Sequence, residues 1–254
     1  MRAPIVLLHG WACPASYWNP VAGLLRDAGR QVLNLDLPGY GAPLEPDFEW
    51  TVENVAALFA LELSGRSPVH WVGHSLGGSI AATIAARYPR TTASLTLVGM
   101  VPVAPSAAAE EKLRRLFGGP EAPDGEAADE MLAAWFRGGE EPRGEDRGRF
   151  LAPFTLPPAV VRQSMEAGIT GAATDVPALV TAPTLVVTGT RDGIRTPDAV
   201  KEFLRAHPDW SHELVTDAGH MVHWERPEAC AGAILRHIGL AEGQVPPGPE
   251  AGRG

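Results

Sequence analysis

Ser75 stands in the segment VGHSLGG, residues 72 to 78, one hydroxyl among three glycines directly after an apolar run. A strand that ends there and passes straight into a helix must reverse within very few residues, which forces the apex residue into a strained conformation. Gly73 and Gly77 leave room for that turn, Ser75 projects its hydroxyl above the sheet, and a helix opening at Leu76 turns its positive end toward the same spot. The segment therefore predicts a nucleophile. A serine hydroxyl is a poor one at neutral pH, so the chemistry needs a base within hydrogen-bond reach and a carboxylate behind that base.

Both are available, in a telling order. In TGTRDGIRTPD, Asp192 sits at a loop apex just past the Gly189-Thr190 turn, and in TDAGHMVHWERPE, Gly219 lets the chain turn so that His220 points back over the sheet. The order Ser75, Asp192, His220 is the one in which a strand-turn-helix serine acquires its acid and its base. Three rivals are weaker. His223 falls where the last helix begins, Asp198 follows Pro197 at a helix head where an acidic side chain meets the dipole, and His74 points away along the turn. The alternative place for the acid, after the preceding strand, reads LVGMVP and carries no carboxylate.

Acyl transfer also builds negative charge on the carbonyl oxygen, which fixed backbone N–H groups must meet. Leu76 would supply one. The second is expected from the loop LLHGWACPASYW, where Gly10 permits the turn and the amide of Trp11 points inward, its indole lining an acyl pocket; the competing reading makes His9-Gly10 a plain turn with a buried histidine.

These residues need a scaffold. Short β-branched or leucine-rich runs at 5–8, 31–35, 69–72, 94–99, 184–188 and 212–215 read as buried strands. They alternate with segments whose apolar residues recur at helical spacing, such as TVENVAALFALEL, LGGSIAATIAARY and PEACAGAILRHI. Such alternation predicts an α/β fold with a mostly parallel sheet of about six strands and helices on both faces. It breaks between 101 and 178, where charged and Gly/Pro-rich stretches surround helical pieces, so a helical cap is expected above the carboxyl ends of the strands, inserted into a core of 1–100 and 179–242. Of its apolar residues, Phe117, Met131, Trp135, Phe136, Phe150, Phe154 and Met165, most are expected to pack as core and two or three to face the site. Residues 243–254, rich in Pro and Gly, read as a disordered tail.

Composition narrows the partners. At 45% hydrophobic and 20% charged, the 254 residues suit a packed globular chain, and the net charge of -9 argues against nucleic acid and anionic membranes, both of which require a basic face. No stretch has the length of a membrane span, and the opening MRAPIVLLHG lacks the features of a signal peptide, so a cytoplasmic protein acting on a small-molecule ester is expected. Cys13 and Cys230 have no metal-ligand spacing and read as isolated thiols; no metal and no organic cofactor is called for.

Taken together, HGW at 9–11, DLPGYG at 36–41, GHSLGG at 73–78, TGTRD at 188–192 and AGH at 218–220 resemble the α/β-hydrolase superfamily across essentially the whole chain. Within it, HGWACPASYW, LPPAVVRQSMEAG and the Asp192–His220 spacing look most like the esterases that demethylate pimeloyl-acyl-carrier-protein methyl ester in biotin synthesis. The resemblance implies a catalytic Ser75, Asp192 and His220, with Trp11 and Leu76 contacting the substrate carbonyl. Serine at 75, where haloalkane dehalogenases and epoxide hydrolases of this fold carry aspartate, argues against those reactions. Two departures stand out. The antiparallel hairpin that opens this fold is missing or vestigial, which leaves an edge strand and suggests a monomer or weak dimer. The resemblance also implies an acyl-carrier protein docked on a basic cap, whereas residues 101–175 hold 8 Lys/Arg against 13 Asp/Glu. The same triad serves lactones, thioesters and carbon–carbon bonds, and a passive ligand-binding module is the rival of another class.

Overall fold

The computed structural model describes residues 2–45, 47–65, 68–137 and 139–243; the tail expected beyond 243 lies outside them. Six strands form one sheet: β1 (Ile5–Leu8), β2 (Val32–Leu35), β3 (Val69–His74), β4 (Thr92–Val98), β5 (Thr184–Gly189) and β6 (Ser211–Val215). Every pairing is parallel and the order is β2-β1-β3-β4-β5-β6. Their apolar residues alternate between two cores, as a sheet covered on both faces requires. Val6, Leu8, Trp71, Leu95, Leu97 and Val186 point to one core, and Ile5, Leu7, Val72, Val98, Leu185 and Val187 to the other.

Helices α1 (Asn19–Asp27), α2 (Val52–Glu62) and α3 (Leu76–Arg87) follow the first three strands. Five lie between β4 and β5: α4 (Ala107–Phe117), α5 (Gly125–Trp135), α6 (Gly144–Leu151), α7 (Pro158–Thr170) and the single turn α8 (Val176–Leu179). The chain closes with α9 (Pro197–Arg205), the short α10 (Val222–Glu225) and α11 (Pro227–Ala241). Val52, Val55 and Phe59 of α2 join α3 on the first core, while Val21 and Leu25 of α1 and Ala231 and Ile234 of α11 cover the second. The starts obey local chemistry: Thr51, Ser106, Asp124 and Thr196 each accept the N–H three residues on, and proline opens α7, α9 and α11.

The sheet order reverses between β1 and β3, so the loops leaving these two neighbours splay apart at a switch point. Leu8 pairs with Gly73 and His74 with Val98. The turns after β1, β3 and β4 consequently emerge side by side at one end of the sheet. A third apolar cluster sits at this end, built from Phe117, Met131, Leu132, Trp135, Phe150, Phe154, Met165 and Ile169 of the segment between β4 and β5, together with Ala12, Cys13, Tyr17 and Met221. Both cysteines are free and buried.

Candidate active site

Ser75 occupies the junction of β3 and α3 with φ 51° and ψ -117°. Its amide still donates to Val98 O of β4, while its carbonyl already accepts from Gly78 and Ser79 of the helix. No residue larger than glycine fits the flanks: a Cβ on Gly73 would lie 2.2 Å from Gly77 O, and one on Gly77 would lie 2.4 Å from both Leu8 O and His9 O. The turn thus presses β3 and the start of α3 onto the end of β1.

Asp192 follows β5 and is 2% exposed, as is His220, which follows β6. The two are joined by Asp192 Oδ2 and His220 Nδ1 at 3.0 Å. The other carboxylate oxygen accepts the amides of Ile194 and Arg195, both at 2.8 Å. A carboxylate that already accepts two amides is the natural acceptor of the shared bond as well, so His220 Nδ1 donates to it, and in the neutral ring Nε2 is then the acceptor. The backbone of His220 is held on both sides: its N–H donates to Trp135 O at 3.0 Å and its carbonyl accepts from His74 Nε2 at 3.2 Å. A Cβ on Gly99 would lie 2.8 Å from His220 O and 3.3 Å from the His74 ring, and one on Gly10 would lie 2.8 Å from His74 Nδ1 and 3.2 Å from Ser75 Cβ. The Trp11, Ser75 and His220 loops therefore meet around the His74 ring.

Leu76 opens α3, so its amide is one of the four first-turn donors with no partner in the helix. Trp11 lies one turn beyond β1. Its indole donates to Val161 O of α7 at 2.9 Å and packs edge-on against Phe117 and Phe154, with ring centres at 4.8 and 5.7 Å. His9 beneath it is fully buried and uses both nitrogens, Nε2 accepting from Leu37 N at 2.8 Å and Nδ1 donating to Gly10 O at 2.8 Å. Burial lowers it to about 4, so the neutral ring ties the loop after β1 to the loop after β2.

The rivals fall elsewhere. Asp198 lies in the first turn of α9, exposed beside Lys201. His223 lies in α10, 1% exposed, its ring tilted against those of Trp18 and His74 with centres at 4.3 and 4.4 Å. Burial lowers it to about 3. Of the seven aromatic and Met residues expected in the inserted segment, all are buried in the third cluster.

Two contributors escape sequence reasoning. Glu225, at the end of α10, accepts the amides of Gly219 at 2.9 Å and Met221 at 3.2 Å, the two neighbours of His220, and burial raises its carboxyl above the ordinary range. Tyr40 of DLPGYG accepts the amide of Ala12, next to Trp11, at 3.0 Å. A tyrosine between two glycines was the only signal for the second; nothing marked the first. Two surface clefts, one lined by Glu49, Trp50, Arg162 and Glu166 and the other by Tyr17, Asn19, Arg149 and Trp224, contain none of Ser75, Asp192 and His220. Among the described residues no group of three or more His, Cys, Asp or Glu gathers to hold a metal, and no helix is long and apolar enough to cross a membrane.

Comparison with known proteins agrees with this layout. Pimeloyl-[acyl-carrier protein] methyl ester esterases of Methylococcus capsulatus and Sodalis glossinidius are 42% and 38% identical over 99 and 100 residues. These matches cover 38% and 39% of this chain and 37% of each relative, little more than a third of either length. A thermophilic esterase from Thermogutta terrifontis superposes with a TM-score of 0.78 at 27% identity, over 94% of this chain and 90% of that one. A bromoperoxidase from Bacillus anthracis shares the fold with a TM-score of 0.84 at 19% identity, over 94% and 92% of the two chains. The model of the alpha/beta hydrolase family matches residues 5–233, and with the parallel six-stranded sheet it places the chain in that family.

Proposed function

We propose that the protein hydrolyses carboxylic esters through an acyl-enzyme formed on Ser75. The observation that supports this reading is the buried Asp192–His220 bond, with both carboxylate oxygens occupied, on a loop that meets the loop of Ser75 around the His74 ring. In the reaction, His220 Nε2 takes the Ser75 proton as Oγ bonds to the ester carbonyl carbon. The negative charge moves to the carbonyl oxygen, where the amides of Trp11 and Leu76 receive it. When the carbonyl re-forms, the alkoxide leaves with the proton from His220. Water then gives a proton to the same nitrogen and attacks the acyl carbon; the bond to Oγ breaks, His220 returns the proton to Ser75, and the acid leaves. Asp192 stays ionised throughout and stabilises the imidazolium.

Residues 101–178 are the cap in this reading, and their apolar cluster suits the methylene stem of an acyl chain. The relatives named pimeloyl-[acyl-carrier protein] methyl ester esterase support a methyl ester of a dicarboxylic acyl chain as the substrate class. The acidic balance of the cap favours a small-molecule ester over a carrier-bound one. The test is turnover of p-nitrophenyl esters of increasing acyl length, then of mono-methyl dicarboxylate esters, by the wild type and by Ser75→Ala. Serine-dependent turnover with preference for the methyl esters supports the whole reading. Serine-dependent turnover of short simple esters alone keeps the mechanism and rejects the substrate, and turnover unchanged in Ser75→Ala rejects the mechanism. A fluorophosphonate that fails to label Ser75 would instead favour a passive binding module.

A further inference from the structure

Three non-glycine residues among those described have positive φ, and two of them flank the site: Ser75 at 51° and Ala12 at 50°. Such a conformation is unfavourable for a residue with a Cβ and persists only where surrounding contacts impose it. For Ala12 the contacts are visible. Its N–H donates to the Tyr40 hydroxyl at 3.0 Å, and that hydroxyl lies 2.9 Å from Ser164 Oγ of α7. Ser164 gives its own proton to Val160 O at 2.6 Å, so Tyr40 must be the donor to Ser164. The chain of bonds then runs one way, from the Ala12 amide through Tyr40 and Ser164 to the backbone of α7.

A second bond ties the same two elements. The Trp11 indole donates to Val161 O, one residue along α7, and Gly39 sits so close to Val160 that a Cβ would lie 2.8 Å from both of its methyl carbons. Trp11, whose amide is the second donor, is thus held twice, by its own indole and by the amide of the next residue, and both holds end on α7.

We infer that Tyr40 is a positioning residue that, with Ser164, lets α7 set the direction of the Trp11 amide toward the developing oxyanion. This rests on the ester-hydrolase reading above. It makes the helices between β4 and β5 part of the catalytic assembly as well as its cover, since the group that stabilises the transition state is aimed from α7. Tyr40 touches no reacting atom; it acts through Ala12 and Trp11.

The test compares Tyr40→Phe and Ser164→Ala with the wild type and with Ser75→Ala. Measured are kcat and KM on a p-nitrophenyl ester, thermal midpoints, and inhibition by a trifluoromethyl ketone and its methyl ketone counterpart. The first ketone adds Ser75 and carries an oxyanion; the second binds without one. Loss of one oxyanion donor costs about 100-fold or more in kcat, so misaiming it in Tyr40→Phe is expected to cost about 10-fold with KM within about twofold. The trifluoromethyl ketone should weaken by a like factor and the methyl ketone hold, with Ser164→Ala shifting in the same sense. Wild-type kcat and trifluoromethyl ketone affinity in both variants would overturn the inference while leaving the serine mechanism intact. Equal weakening of both ketones with a lowered midpoint would also overturn it, assigning Tyr40 to stability alone. Turnover that survives Ser75→Ala would instead remove the reading on which it rests.

Discussion

At Ser75 the backbone and the proposed chemistry are one problem, because the positive-φ turn that carries the hydroxyl is also the one that needs glycine on either side. Gly77 sits against two backbone carbonyl oxygens, that of Leu8 at the end of β1 and that of His9 just beyond it, which move only with the end of the strand. Gly77→Ala should therefore destabilise the protein by about 3 kcal/mol, read as a lowered urea midpoint at unchanged slope. Asp192 tests a different property. Asp192→Asn keeps the shape but presents an amide where His220 Nδ1 now donates, so the ring is driven to the tautomer whose Nε2 carries a proton. Turnover should fall by about 10⁴-fold with little change in KM or thermal midpoint, measured on any p-nitrophenyl ester the wild type cleaves. A loss under tenfold would argue that another group serves the histidine.

At the scale of elements, what could be read from the chain followed the range of the interaction. The first five strands were readable because each carries a cluster of apolar residues, β6, with only Leu214 and Val215, from its place in the alternation, and α3 because Leu76 to Arg87 follows a glycine turn without a break. The helix α6 was not: in GEDRGRFL only Phe150 is buried, so one residue carries the helical signal and the run reads as a charged loop. Asp192 and His220 were legible from turn chemistry, but the grip on His220 was not, since it depends on Trp135, 85 residues earlier in the chain, and on a side chain that bonds only to backbone. Glu225 exemplifies this. Its carboxylate spans the amides on both sides of His220, which makes α10 a clamp on the histidine loop. In Glu225→Gln one acceptor oxygen becomes a donor facing those amides. A fall in kcat of about tenfold is expected, with a stability loss of about 1 to 3 kcal/mol, and Glu225→Asp should recover neither in full because the shorter side chain does not span both. Turnover numbers equal to wild type in Glu225→Gln would show that the loop holds its shape unaided.

At the scale of the whole molecule, burial of histidine sets how stability responds to acid. His9 is lowered to about 4 and His223 to about 3, both by burial first, and His70, His74, His212 and His237 are lowered for the same leading reason. An unfolded histidine takes up its proton near 6.5. As pH falls below that value, the unfolded chain binds protons that the native protein refuses, so stability is full above about 6.5 and declines on the way to about 4. Each such histidine contributes at most about 1.4 kcal/mol per pH unit over its window. Glu225, raised by burial, works in the opposite sense between its raised value and the ordinary carboxylate range, and Glu242, held at about 2 chiefly by its hydrogen bonds from Arg30, adds to the acid loss below that range. The thermal midpoint should hence drop steadily from pH 6.5 to 4.5. His223 isolates the cause, because neither of its ring nitrogens has a hydrogen-bond partner among the described residues while the Trp18 and His74 rings pack against it at a tilt. A phenyl ring keeps the ring contacts and removes two unpaired polar atoms, whose burial costs about 1 to 3 kcal/mol each. His223→Phe is thus expected to raise the midpoint at pH 7 and to flatten its fall toward pH 4.5. A midpoint that drops as steeply as in the wild type would place the acid sensitivity in other histidines, and a lower midpoint at pH 7 would mean that His223 finds polar partners in solution.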